Sequence, residues 1–203
     1  LLELRMGAEL QDLLVQFDSG EVADIANKVT AISDAFRVDA RVRSLDFVRP
    51  DVDALLAADA DNTGLRSRLS CMNANMRPLR DGDFGIVAGR PDRGKTTYLA
   101  SELTFFAAQT ERQIIWLNNE GPGSRIYPRL WQAALGVRTT ELIQLHQRGR
   151  LIPEYEAAIK GDQFKIRVFD IHGNDNYAVE RILDSNPACL VVYDMIDNVR
   201  GFN

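Results

Sequence analysis

The chain has little of what builds a metal cage or a disulfide scaffold. Its 203 residues include two cysteines, Cys71 and Cys189, far apart and in no ligand spacing. That pattern argues against a disulfide scaffold or a zinc cage and reads as reduced, intracellular thiols. The two histidines, His146 and His172, stand alone, which argues against a His-built metal site. No apolar run approaches the roughly 18–20 residues of a membrane span. A signal-peptide pattern is missing too, so the expected location is cytoplasmic, with no membrane partner. An excess of basic charge is also lacking. Residues 1–83 carry 10 basic and 15 acidic side chains, and residues 84–203 carry 14 of each. A bulk basic face for nucleic acid is thereby excluded, although a partner gripped by a few loops is not. There is no internal repeat and no low-complexity tract. The chain begins Leu1-Leu2 without an initiator Met and stops at Asn203, and so reads as part of a longer protein.

What is present is ordinary globular composition, 45% hydrophobic and 26% charged, which excludes disorder. The first third reads as helices. Leu4, Leu10, Leu13, Leu14 and Phe17 fall near helical spacing before the Ser19-Gly20 break. Val22, Ile25, Ala26, Val29, Ile32 and Phe36 form one apolar stripe, and the pair predicts a helical hairpin. Asp51 is placed to cap a helix running to residue 58, residues 59–64 read as a linker, and residues 65–76 as another helix.

The remaining two thirds alternate strands and helices, the pattern of an α/β fold with a parallel sheet. Strands are predicted at residues 84–88, 113–117, 164–169 and 189–193. Helices are predicted at 96–109, 139–147, 153–159 and 175–183, with another opened by Pro122 and closed by Gly136.

Between the first predicted strand and the helix after it lies Gly89-Arg90-Pro91-Asp92-Arg93-Gly94-Lys95-Thr96, followed by Thr97. It fits Gly-x4-Gly-Lys-[Ser/Thr], the Walker A phosphate loop. Glycines let the backbone wrap a polyphosphate with its amides inward, and the following helix turns its positive end on the same anion. Lys95 is suited to the β- and γ-phosphates, and Thr96 to Mg²⁺. Asp194 ends an apolar strand, the Walker B position for a metal-linked carboxylate, with Asp197 as runner-up. Glu120 follows the second strand, at the sheet edge where ligands gather, and a carboxylate there can activate water. Asn118 and Asn119 either contact nucleotide or simply form the turn. Arg125 and Arg129 read as a solvated or interface face ahead of a phosphate site.

Residues 79–91 (Leu-Arg-Asp-Gly-Asp-Phe-Gly-Ile-Val-Ala-Gly-Arg-Pro) together with the phosphate loop resemble the DnaB-like replicative helicases, hexameric motors of RecA fold. Leu117-Asn118-Asn119-Glu120 resembles the family's second ATPase motif, and residues 190–194 (Leu-Val-Val-Tyr-Asp) resemble its Walker B strand. The Asn-Asn-Glu-Gly-Pro-Gly variant looks most like bacteriophage-encoded members. The likeness covers roughly residues 79–200. It implies a RecA-like P-loop core over 79–203, ending just after Walker B, behind a helical N-terminal region and linker over 1–78. In the family such a region docks on the neighbouring subunit.

The resemblance further implies ATP and Mg²⁺ as cofactors. Residues 89–97 would bind nucleotide, Thr96 and Asp194 would hold the metal, Lys95 would stabilise the phosphates and Glu120 would be the catalytic base. It implies a homo-hexamer acting on single-stranded DNA, with primase or other replisome proteins as partners, in the host cytoplasm if phage-encoded. The family's sensor strand, DNA-binding loops and arginine finger lie beyond residue 203. Asp92 and Arg93 depart from the small or apolar residues common in this loop. The rivals are another RecA-fold ATPase (recombinase, helicase loader or packaging motor), a nucleotide-binding switch, and, more weakly, a small-molecule kinase.

Overall fold

A computed structural model describes residues 2–22, 24–42 and 51–195. The chain divides into two compact units, residues 1–59 and 60–203.

The first unit is helical: α1 (Leu2–Asp18), α2 (Ile25–Val42) and α3 (Val52–Ala60). The first two pack on each other as the expected hairpin. Gly20 closes α1, its amide donating to the Phe17 carbonyl at 3.0 Å. Asp24 opens α2 by accepting from the Asn27 amide at 3.2 Å. Asp51 does the same for α3 through the Ala54 amide at 3.1 Å, satisfying a donor that the helix itself cannot. Leu13 and Val22 are buried, whereas Leu14, Val29, Leu55 and Leu56 are exposed.

The second unit is an α/β structure. Its three-stranded parallel sheet has β1 (Ile114–Asn118) in the centre, β2 (Ile166–Asp170) on one edge and β3 (Leu190–Asp194) on the other. Asn118 pairs in register with Asp170 and with Asp194, so the three strands end level. Helices cover both faces. Ile114 and Trp116 point to one side, into a core shared with α5 (Lys95–Ala107), α6 (Ile126–Leu135) and α8 (Leu151–Ile159). Ile115 and Leu117 point to the other, against Val179 and Ile182 of α9 (Asn176–Ser185). The period-two alternation of a strand makes this division. Between α6 and α8 lies α7 (Thr139–Gln147).

Two expectations change. The helix expected over 65–76 shrinks to α4 (Ser70–Asn75), because the residues before it are tied down as extended chain. Leu65 and Leu79 exchange two backbone hydrogen bonds of 2.9 Å. The Gln109 amide meets the Arg66 backbone as another strand would, accepting from its N–H and donating to its carbonyl, each at 2.9 Å. Arg68 is clasped to α5 by bonds to the Ser101 carbonyl and the Thr104 hydroxyl, with its guanidinium over the Phe105 ring.

The second change concerns residues 84–88. This stretch is not a strand of the sheet, and Phe84 and Ile86 are 83% and 80% exposed. An apolar run becomes a strand only by pairing, and residues 84–88 pair with neither outer edge of the sheet, at β2 or at β3, so their backbone and side chains stay with solvent. Among the described residues no helix is long and apolar enough to cross a membrane.

Candidate functional site

The site lies where the three strands end. Residues 89–94 are exposed and pass directly into α5. Gly94 caps that helix with φ of 84°, a left-handed conformation that favours glycine. Asp92 also has a positive φ, 57°, which aspartate tolerates better than most residues. The charged Asp92-Arg93 pair is thus built into an exposed turn. Lys95 folds back over the loop, its Nζ donating to the carbonyls of Gly89 at 3.0 Å and Arg90 at 3.3 Å. Gly89 lies alongside this side chain, its Cβ position 3.4 Å from Lys95 Cγ, an ordinary van der Waals contact. Thr96, half-buried in the first turn of α5, lies beside the Asp194 carboxylate, near enough for its hydroxyl to favour the ionised form, and Thr97 faces solvent. Residues 98 apart in the chain are thereby brought together.

Asp194 closes β3 and is 3% exposed. Burial pushes its carboxyl above the ordinary value. The Thr96 hydroxyl pulls the other way, the nearby Glu120 carboxylate adds to the rise, and the positive charges of Arg129 and Lys95 reduce it. Thr96, Glu120, Lys95 and Asp194 therefore share one electrostatic environment. Glu120 itself is exposed, on the turn just after β1. Asp197 lies outside the described residues.

The two asparagines act as braces. Asn118 Nδ2 donates to the Gly121 carbonyl and to Asp170 Oδ1, both at 2.7 Å. Asn119 donates its backbone amide to the Asp194 carbonyl at 2.7 Å and its side chain to the Met195 carbonyl at 3.2 Å. Both are buried, so the turn reading describes them better than direct nucleotide contact. Arg125 ends the short 3-10 turn Gly123–Arg125, and Arg129 lies in the first turns of α6. Arg129 is exposed, in keeping with the solvated or interface face expected of it, and its charge still reaches Asp194; Asp170 is the residue the sequence did not single out. The rule that found Asp194, an acid closing a parallel strand, could have found Asp170 too.

No protein-family model matches the chain, and no curated protein matches it.

What the arrangement can do follows from its donors. Among the described residues no group of three or more His, Cys, Asp or Glu could hold a metal. A hydroxyl and a carboxylate lying side by side, Thr96 and Asp194, are a different donor set. They fit Mg²⁺, a hard cation that takes one or two protein oxygens and completes its shell with phosphate and water. Lys95 and the α5 N-terminus offer positive charge to a polyanion at the same place. The exposed Glu120 carboxylate is free to meet water.

Proposed function

We propose that this chain carries the Mg²⁺-dependent ATPase site of a motor subunit with a RecA-like core, of the DnaB-like replicative helicase kind and closest to its bacteriophage-type members. The observation that supports this most is the nearness of Thr96, at the start of α5, to the buried Asp194 carboxylate at the end of β3, which brings together the two metal-linked positions of the motif pair. Residues 89–97 bind the nucleotide, and Lys95 and the α5 N-terminus neutralise its phosphates. Thr96 and Asp194 would hold Mg²⁺, which when bound would supply positive charge to the terminal phosphate. Glu120 accepts the proton of the attacking water. Arg129 contributes positive charge on the same side as Asp194. In the whole protein, an arginine from the next subunit of a homo-hexamer would complete the site, worth about 10³–10⁵ in rate. Turnover would drive movement on single-stranded DNA and duplex unwinding during DNA replication, with primase as a further partner.

The test is ATP turnover with and without single-stranded DNA, with particle mass measured on the same sample. DNA-stimulated turnover from a hexamer-sized particle is expected. Turnover indifferent to DNA, in a monomer or dimer, would move the reading to a helicase loader, a packaging ATPase or another RecA-fold enzyme. Nucleotide binding without turnover would make it a switch. Lys95→Ala is expected to abolish binding of an ATP analogue, and unchanged affinity would remove the nucleotide site. Glu120→Gln should keep that affinity and lose turnover by about 10²–10⁴.

A further inference from the structure

We infer that Asp170, which closes β2, is a positioning residue: through Asn118 it holds the turn that carries Glu120. This rests on the ATPase reading above and names a part of its machinery that the motifs do not contain.

The chain of contacts is short. Asp170 Oδ1 accepts from Asn118 Nδ2 at 2.7 Å, and the same Nδ2 donates to the Gly121 carbonyl at 2.7 Å. One amide group thus ties the end of β2 to the residue after Glu120. Both its protons are used, and Asn118 is wholly buried, so it has no freedom to swing away. The backbone agrees. The Ile171 amide donates to the Asn118 carbonyl at 2.9 Å, prolonging the β1–β2 ladder past Asp170.

The turn itself is shaped to this brace. Gly121 has φ of 71°, a conformation that suits glycine. Gly123 lies against the Asp170 carboxylate so closely that a Cβ there would collide with it. The carboxylate therefore lies against Gly123 and anchors the Asn118 side chain that reaches the Gly121 carbonyl. Among the described residues the Glu120 side chain has no hydrogen-bond partner, so its place is set by its backbone neighbours, Asn119 tied to β3 on one side and the turn held by Asn118 and Asp170 on the other. Asp170 is exposed and carries no ion pair among those described, which leaves positioning as its visible work.

The experiment compares Asp170→Ala, Asp170→Asn and Glu120→Gln, singly and combined, in the full chain. Asp170→Ala should lower kcat about 10- to 100-fold, the scale of an ångström-sized misplacement. Affinity for an ATP analogue should stay within about twofold, because the phosphate loop is untouched. Asp170→Asn keeps an acceptor for Asn118 and should restore most of the turnover. In a Glu120→Gln background, Asp170→Ala should cost nothing further, since its effect passes through Glu120. A general structural role would instead add its loss to that of Glu120→Gln, and that outcome overturns the inference. Unchanged kcat in Asp170→Ala overturns it as well. Should the alanine variant not fold, Asp170→Glu shifts the acceptor by one methylene with the charge kept, and carries the same expectation. Failure of the ATPase reading looks different: the parent chain then shows no turnover, and both proposals fall together.

Discussion

The two units are both rich in apolar residues and bury them very differently. In residues 1–59, Leu13 and Val22 are buried, while Leu4, Leu14, Val15, Val52, Leu55 and Leu56 stay more than half exposed. In the α/β unit every residue of β1 is buried, and Trp116, Leu103, Leu130, Tyr155 and Ile166 lie within 1% of full burial. The cause is the number of layers. A helical hairpin can cover one stripe on each helix and leaves the rest to solvent. A central strand is covered on both faces by helices and on both edges by strands, so nothing of it is left over. The same amphipathic signal therefore carries different energetic weight in the two units.

That contrast can be broken or sharpened by substitution. The largest effect belongs to Trp116→Ala, which should cost about 3–5 kcal/mol in denaturant unfolding, the scale of a large aromatic removed from a sealed core. A cost under about 1 kcal/mol would mean that the α/β core is far looser than its burial implies.

Next comes the helical unit. Leu13→Ala should lower stability by about 2 kcal/mol, against under about 0.5 kcal/mol for its exposed neighbour Leu14→Ala. Equal effects, read from loss of helical circular dichroism, would show that the hairpin's buried stripe does not hold it together.

A smaller effect, opposite in sign, is expected at the site. Burial raises the Asp194 carboxyl above its ordinary value, so its ionisation favours the unfolded chain. At pH below the unfolded value both states are protonated and nothing is lost. Stability then falls as pH rises toward the raised folded value, and stays lower above it. Asp194→Asn should remove this fall and raise Tm at neutral pH. It should also cost metal-dependent turnover. A lower Tm at neutral pH, or an unchanged pH profile, would mean that the buried charge is better compensated than its neighbours suggest.

The smallest effect is at Phe84. At 83% exposure, Phe84→Ser should change stability by no more than about 0.5 kcal/mol. A loss of 1–2 kcal/mol or so would show that residues 84–88 pair with something in solution after all.

Much of the architecture was legible because its signals are local. The ends of α1 at Ser19-Gly20, of α6 at Gly136 and the cap of α3 at Asp51 each need one residue with the right side chain or backbone freedom. The three strands that formed were visible as apolar runs, displaced by one or two residues. Residues 84–88 misled for the same reason: Phe-Gly-Ile-Val-Ala has a strand's composition, but strand formation belongs to a pair, and no run of residues encodes its own neighbour. At the site, Gly89 to Thr96 could be read as one motif. Arg129 could not, because its nearness to Asp194 depends on where α6 lies in the second unit.

By itself the sequence determined the periodicities, the caps, the phosphate-loop motif and the acids at strand ends, all of which depend on residues within a turn or two of one another. Tertiary structure alone decided that Thr96 lies near Asp194, that Asn118 bonds both Asp170 and the Gly121 carbonyl, and that Leu13 is buried while Leu14 is not. Each of those facts joins distant parts of the chain or selects one face of a helix. Their physical origin is the close packing of elements whose partners no local pattern names.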